Sequence, residues 1–146
     1  MIEWGWKSDV WFHVDGLSSA HVYLRLPLAN AQCEADDHRC AGLLDRIPEG
    51  VIEDMCQLVK ANSIEGCKKA SCMVVYTPWA NLHKDETRMQ AGAVGFHNAS
   101  TRVVRRVDKD RQAQGRKRVI QRRFNVGVLE AIPKRKGSTL RVRPER

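Results

Sequence analysis

The feature that most limits the fold of this chain is the uneven distribution of charged residues along its sequence. The first 100 of its 146 residues carry 9 basic and 13 acidic side chains, a balance of −4, whereas the last 46 carry 16 basic and 4 acidic, a balance of +12. A segment so dense in like charge repels itself and supplies little core. We therefore expect one folded domain over residues 1–107 and an Arg-rich basic tail, partly helical or disordered, over residues 108–146.

Two runs rich in aromatic and β-branched residues predict a β-hairpin near the start of the domain. Residues 9–15 end at the turn signal Asp15-Gly16, and residues 21–26 alternate before Pro27. Residues 29–45 have no clean period and are predicted to form a surface excursion.

A single amphipathic helix is predicted after Pro48, ending near residue 63. Its apolar face is marked by residues at i, i+3, i+4 and i+7, namely Ile52, Met55, Cys56 and Val59. Cys56 is interpreted as a small buried apolar residue.

The remaining apolar runs predict further strands. Residues 72–77 form a continuous apolar run, which predicts a central strand buried on both faces. Residues 93–97 and 101–107 are predicted to pair with each other as a final strand pair. The expected fold class is α+β, a small mixed or antiparallel sheet with one main packed helix.

Clusters of arginine indicate a nucleic-acid partner, because the planar guanidinium binds phosphate oxygens bidentately. These clusters are Arg105-Arg106, Arg116-Lys117-Arg118, Arg122-Arg123 and Lys134-Arg135-Lys136. Two other interpretations stay open: a solvated tail without specific function, and a nuclear or nucleolar address.

The folded part offers a second set of candidate phosphate contacts, with an ordinary solvated face as the alternative. We expect Lys60, Lys68 and Lys69, which flank the turn after the helix, to form a basic patch with Arg25 and Lys84. The four tryptophans, Trp4, Trp6, Trp11 and Trp79, could stack on unpaired bases. Trp11 is predicted to be buried, and Trp79 is the candidate for an exposed ring.

No catalytic, metal or cofactor site is expected. Asp15, Ser18 and His21 bring triad residue types together, but no nucleophile elbow accompanies them, so a turn and satisfied histidines are the expected roles. Cys33, His38 and Cys40 have the wrong spacing for structural zinc. The odd cysteine count, five, favours reduced thiols, and no apolar run approaches the ~20 residues of a membrane-spanning helix. We expect a soluble, intracellular protein that is cytoplasmic, with a nuclear or nucleolar location as the alternative.

Four blocks of sequence resemble the NFACT-R domain family, in the family's order. They are residues 9–14 with 17–26, residues 58–68, residues 74–79 and residues 92–97. The resemblance, which covers roughly residues 4–107, implies a small α+β domain that binds RNA without enzymatic activity; in multidomain relatives it sits among tRNA and large-subunit contacts. Relatives begin with an additional strand pair, which this chain is expected to lack.

Together these observations predict a non-enzymatic module that binds structured RNA, tRNA or ribosomal RNA, in a ribosome-associated role. Two alternatives stay open. One is a DNA-binding protein that uses the basic tail, and the other is a protein-interaction adaptor whose tail serves localisation.

Overall fold

The computed structural model describes residues 5–26, 41–84, 93–110 and 127–129. These residues form an α+β domain, as the sequence predicts. Its strands are β1 (Asp9–Val14), β2 (His21–Arg25), β3 (Ser71–Pro78), β4 (Leu82–His83), β5 (Gly95–Phe96), β6 (Val103–Asp108) and β7 (Gly127–Leu129), and its helices are α1 (Ala41–Leu44) and α2 (Glu49–Ala61).

In the described part of the chain, five strands form one antiparallel sheet in the order β6-β3-β1-β2-β7. β4 and β5 form a separate two-stranded ribbon. The backbone of β7, which belongs to the stretch that the sequence assigns to the basic tail, pairs with β2. Most of the predicted basic tail, residues 108–146, lies outside the described residues.

The predicted hairpin of β1 and β2 is confirmed. Its turn contains Gly16 at φ 66°, a backbone conformation that side chains disfavour. The Ser19 hydroxyl accepts a hydrogen bond of 3.0 Å from the Val14 amide and closes the turn.

Helix α2 covers one side of the sheet, as its periodicity predicts. Met55, Cys56 and Val59 are fully buried in one cluster with Phe12 of β1 and Val74 of β3. The preceding segment departs from the prediction of an irregular excursion. Residues 41–44 form α1, and Leu43 is buried in the same core at 3% exposure.

Strand β3 lies inside the sheet, between β6 and β1, so the middle strand is β1. The expectation that the apolar run is buried on both faces is wrong at Met73, which is 42% exposed on the side of the sheet away from α2. We call that side the open face. The open face is exposed at Met73, near the start of β3. Toward the end of β3, a cluster covers this face, in which Trp11, Tyr23 and Val75 pack with Leu82 and Phe96.

The predicted pairing of residues 93–97 with residues 101–107 is wrong. β5 pairs with β4, and β6 pairs with β3. The buried side chain of Asn81 explains the difference, because it donates to the Thr77 hydroxyl and to the Asn98 carbonyl, both at 2.9 Å, and accepts from the Asn98 amide at 2.8 Å. These bonds fix the chain beside the end of β3, from where β6 runs back along β3 and buries Val107.

None of the helices in the described ranges is both long and apolar enough to cross a membrane.

Candidate nucleic-acid interface

The strand register separates the predicted contact residues into two groups. β3 begins at Ser71, two residues after Lys69. It ends at Pro78, which lies opposite Val10, the neighbour of the residue that pairs with Arg25. Seven steps of strand span about 23 Å. Arg25 therefore does not reach the face that carries Lys68 and Lys69, contrary to expectation.

Lys60 is not a phosphate contact. Its side chain is 3% exposed, and its ammonium donates to the carbonyl of Gly66 at 2.6 Å and to that of Lys69 at 2.7 Å. The prediction failed because the loop after α2 folds back over the last turn of the helix. Lys60 thus supports the loop that presents the next two lysines.

Lys68 and Lys69 are exposed on that loop, as predicted. The loop is tied down further by Ser63, whose hydroxyl donates to the Ser18 carbonyl at 2.7 Å and accepts from the Gly66 amide at 3.0 Å. A ligand would therefore meet the two lysines on an ordered backbone, at a lower entropic cost of binding.

Two further cations lie at the same end of the sheet. Lys109 is exposed, and its amide donates to the Ala70 carbonyl at 2.7 Å. Arg106 faces Met73 across the strand pair, with its side chain 71% exposed. Its bond to the exposed Asp108, 3.2 Å long, is a surface pair of small energy. We call Lys68, Lys69, Arg106 and Lys109 the basic corner.

Arg105 points to the opposite side of the sheet from Arg106, because successive strand residues alternate. Its guanidinium pairs with Glu49 and, at 3.2 Å, with Glu53 on α2. The hydrogen bond to Glu49 raises the pKa of Arg105 further above its ordinary value. Arg105 therefore stabilises the packing of β6 on α2, and its charge is neutralised within the domain.

The two sides of the domain differ in charge. The helical layer, residues 41–61, carries four carboxylates, Asp45, Glu49, Glu53 and Asp54. Of the three cations in or against this layer, Arg46 is exposed, Lys60 is buried, and Arg105 is half-buried and paired with Glu49 and Glu53. A polyanion is repelled from this layer and is favoured at the basic corner.

Arg25 forms an ion pair with Asp9 of the neighbouring strand. Its Nε and terminal nitrogen donate to the two oxygens of Asp9 at 3.0 and 3.1 Å, and the Asp9 side chain is 1% exposed. This hydrogen bonding raises the pKa of Arg25 above its ordinary value. The guanidinium also lies 3.9 Å from the centroid of the Trp6 ring. Because its charge is neutralised, Arg25 is a weak phosphate contact.

Trp79 is half-buried rather than freely exposed. It packs on the open-face cluster, and the backbone at Gly5 lies against its indole, since a Cβ on Gly5 would be 1.9 Å from the ring nitrogen. Lys84 is half-buried as well. The tail cations Arg116, Lys117, Arg118, Arg122 and Arg123 lie outside the described residues.

The histidine of the candidate triad is hydrogen-bonded in the core, and the other two candidates, Asp15 and Ser18, are exposed. The indole nitrogen of Trp11 donates to Nδ1 of the buried His21 at 2.8 Å, and Trp11 is 1% exposed, as predicted. Among the described residues, no group of three potential metal ligands is found. Cys33, His38 and Cys40 lie outside them. Burial raises the pKa of the Cys56 thiol to about 12.

Sequence reasoning missed two residues of interest. Lys109 was counted with the tail, although its amide extends the pairing of β6 with β3. Trp6 was not preferred over Trp79, yet it is 52% exposed. The sequence signal that could have found Trp6 is its place in the turn before β1, outside the alternating run.

Comparisons with known proteins agree with the resemblance drawn from the sequence. A family model described as the NFACT protein RNA binding domain matches residues 1–98. The coiled-coil domain-containing protein 25 homolog of Dictyostelium discoideum is 50% identical over 111 residues, which are 75% of this chain and 48% of that protein. Coiled-coil domain-containing protein 25 of Danio rerio is 45% identical over 109 residues, 75% of this chain and 46% of the relative. The chain thus spans about half the length of the curated relatives it matches.

A solved structure supports the fold. The C-terminal part of the fibronectin/fibrinogen-binding protein from Streptococcus suis matches 75% of this chain and 35% of that chain, with a TM-score of 0.50 and 18% sequence identity. At this level of identity, the likeness concerns the fold alone.

Proposed function

Since the chain belongs to the NFACT RNA-binding domain family, we propose that it is a non-enzymatic module that binds structured RNA, such as tRNA or ribosomal RNA, in a ribosome-associated role. The match of the family model to residues 1–98 carries the proposal. The exposed cations of the basic corner and the acidic helical layer support it, because they define which side a polyanion approaches.

The chemistry of the contact is phosphate neutralisation. Lys68 and Lys69 lie on a loop whose carbonyl groups accept hydrogen bonds from the buried Lys60 ammonium. Arg106 and Lys109 lie at the neighbouring end of β6. If each of these four cations meets one phosphate of a duplex, together they contribute about −3 to −4 to the slope of log affinity against log salt. The tail cations add affinity that does not depend on sequence.

The proposal is tested with the full chain in an anisotropy titration. Labelled tRNA and a DNA duplex of similar length are compared for the wild type and for Lys68→Glu/Lys69→Glu. We expect tighter binding to tRNA, and a loss of at least about tenfold on reversal, because like charge beside phosphate adds repulsion to the lost attraction. The salt slope flattens by about 2.

A matched control removes two charges elsewhere. Arg105→Gln/Arg46→Gln changes the helical layer, and the affinity for tRNA stays within about twofold of the wild type, because that layer faces away from the proposed contact. Equal affinity for tRNA and DNA before and after the lysine reversal contradicts the proposal and favours the DNA-binding alternative. Absence of binding to either favours the adaptor.

Ribosome association is tested separately by sedimentation of the tagged protein from a cell lysate. We expect the protein to travel with ribosomal fractions in the cytoplasmic extract and to be released by nuclease. Capture that survives nuclease treatment contradicts an RNA-mediated association. Fractionation of nuclei in the same experiment measures any nuclear or nucleolar share.

A further inference from the structure

Trp6 presents a large aromatic side chain at the surface of the domain. The residue is 52% exposed, whereas Trp11 is buried and Trp79 is half-buried. Scattered exposed apolar residues are common and by themselves indicate nothing. What distinguishes Trp6 is the way in which the surrounding groups fix it.

The backbone and the ring of Trp6 are both bound to the same ion pair. The Trp6 amide donates to Oδ2 of Asp9 at 2.8 Å, and the Asp9 amide donates back to the Trp6 carbonyl at 2.8 Å. Arg25 completes the arrangement, since it binds both oxygens of that buried carboxylate and lies 3.9 Å from the centre of the indole. The ring is therefore oriented before any ligand arrives, which lowers the entropic cost of stacking on it.

A second pairing of arginine with an aromatic ring lies on the same side of the domain. The exposed Arg102 has its guanidinium carbon 5.4 Å from the centroid of Phe96. Phe96 in turn packs on Trp11, with ring centroids 6.0 Å apart. Trp79 connects the two pairings, because it contacts Gly5, the neighbour of Trp6, and packs in the same cluster as Phe96. We call Trp6, Arg25, Phe96 and Arg102 the aromatic corner.

We propose that the aromatic corner binds unpaired RNA nucleotides by stacking, with Trp6 as the main platform; this inference rests on the RNA binding proposed above. Single-stranded bases stack on aromatic rings and on guanidinium planes, and both kinds of surface are present here. The RNA would thus be a duplex at the basic corner that continues into a single-stranded segment toward Trp6, past the other end of β3, whose seven steps span about 23 Å.

The observations favour a nucleotide over a protein as the occupant. A stable protein interface buries roughly 800 Å² on each partner, whereas the exposed apolar surface at this corner is centred on one indole. Since Asp9 neutralises Arg25, the platform contributes stacking rather than charge. The binding energy at Trp6 therefore depends little on salt, unlike that at the basic corner.

The experiment uses two labelled RNA hairpins that differ only in a single-stranded overhang of about eight nucleotides, within the usual site sizes of single-strand binders. The full chain is titrated with each hairpin as wild type, Trp6→Leu and Trp6→Phe. Leucine keeps an apolar surface without an aromatic ring, and phenylalanine keeps the ring. Because Trp6 is exposed, both variants are expected to fold, and a thermal melt of each variant checks this.

We expect the overhang to increase the affinity of the wild type. Trp6→Leu lowers the affinity for the hairpin with the overhang by about five- to a hundredfold. The affinity of Trp6→Phe for this hairpin stays within about threefold of that of the wild type. The salt slope is unchanged in both variants, whereas Lys68→Glu/Lys69→Glu flattens it and leaves the gain from the overhang in place.

The outcomes separate the two proposals. If the wild type binds neither hairpin, the proposed RNA binding fails, and the inference fails with it. If the wild type binds both hairpins equally, or if Trp6→Leu keeps the gain from the overhang, the inference is overturned while RNA binding stands. Equal losses in Trp6→Leu for both hairpins also overturn it, since Trp6 would then contact the duplex.

Discussion

Replacement of Lys60 by methionine removes the group that holds the loop of the basic corner. Two charge-assisted hydrogen bonds, to Gly66 and Lys69, are lost. The Gly66 carbonyl then keeps only the longer hydrogen bond of 3.3 Å from the Lys69 amide, whereas water can reach the Lys69 carbonyl beside its exposed side chain. Methionine retains the apolar packing of the lysine stem. We therefore expect the free energy of unfolding to fall by about 2–4 kcal/mol, a large part of the ~5–15 kcal/mol typical of a domain.

Urea unfolding followed by circular dichroism measures this change. With a slope of about 2 kcal/mol per molar, the midpoint falls by about 1–2 M. Lys69→Met is the control, because it removes an exposed side chain of the same loop and keeps the carbonyl that Lys60 binds; its free energy of unfolding stays within about 0.5 kcal/mol of the wild type. A Lys60→Met midpoint equal to that of the control would refute the bracing role.

Three further predictions concern the core and the charges. Trp11→Ala lowers the free energy of unfolding by about 3–5 kcal/mol, because the buried indole and its bond to His21 are lost; an unchanged melting temperature contradicts this. Arg105→Ala lowers it by no more than about 1 kcal/mol, since the pairs with Glu49 and Glu53 are partly exposed, and leaves tRNA affinity within about twofold in an anisotropy titration. Burial raises the pKa of Cys56 from 9.0 to about 12, so the unfolded chain ionises first, and stability falls as pH rises from 9 toward 12. In urea unfolding at pH 8 and pH 10, Cys56→Ala loses less stability than the wild type, by up to about 1.4 kcal/mol per pH unit.

The basic corner illustrates how sequence neighbours acquire different roles. Arg105 and Arg106 are adjacent, yet one pairs with carboxylates of α2 and the other faces solvent beside Met73. Strand alternation makes this separation predictable once residues 103–108 are known to form a strand. Which side α2 would cover is a property of the packed domain.

The exposure of a candidate contact follows from the sequence where it depends on local structure. Lys68 and Lys69 follow the end of α2 in a polar turn, and they are exposed. Lys60 has the same chemistry and lies eight residues earlier, but the loop that covers it supplies two carbonyls in place of water. No periodic pattern in the sequence indicates that this loop covers Lys60.

The sequence by itself determined the local structure of this protein. Alternation marked the hairpin of β1 and β2, a helical period marked α2, and the charge balance separated the acidic part of the chain from its basic end. These features are encoded within a few residues, because side-chain direction and backbone preference act over one turn or one strand step.

Only the tertiary structure decided which strands pair and which cations are available to a ligand. β6 pairs with β3 because Asn81 fixes the chain at Asn98, and Arg25 is neutralised by Asp9, 16 residues away in sequence. Arg105 meets Glu49 from 56 residues away. Burial and charge pairing depend on distances in space between residues far apart in the chain, and the pattern along the chain does not contain those distances.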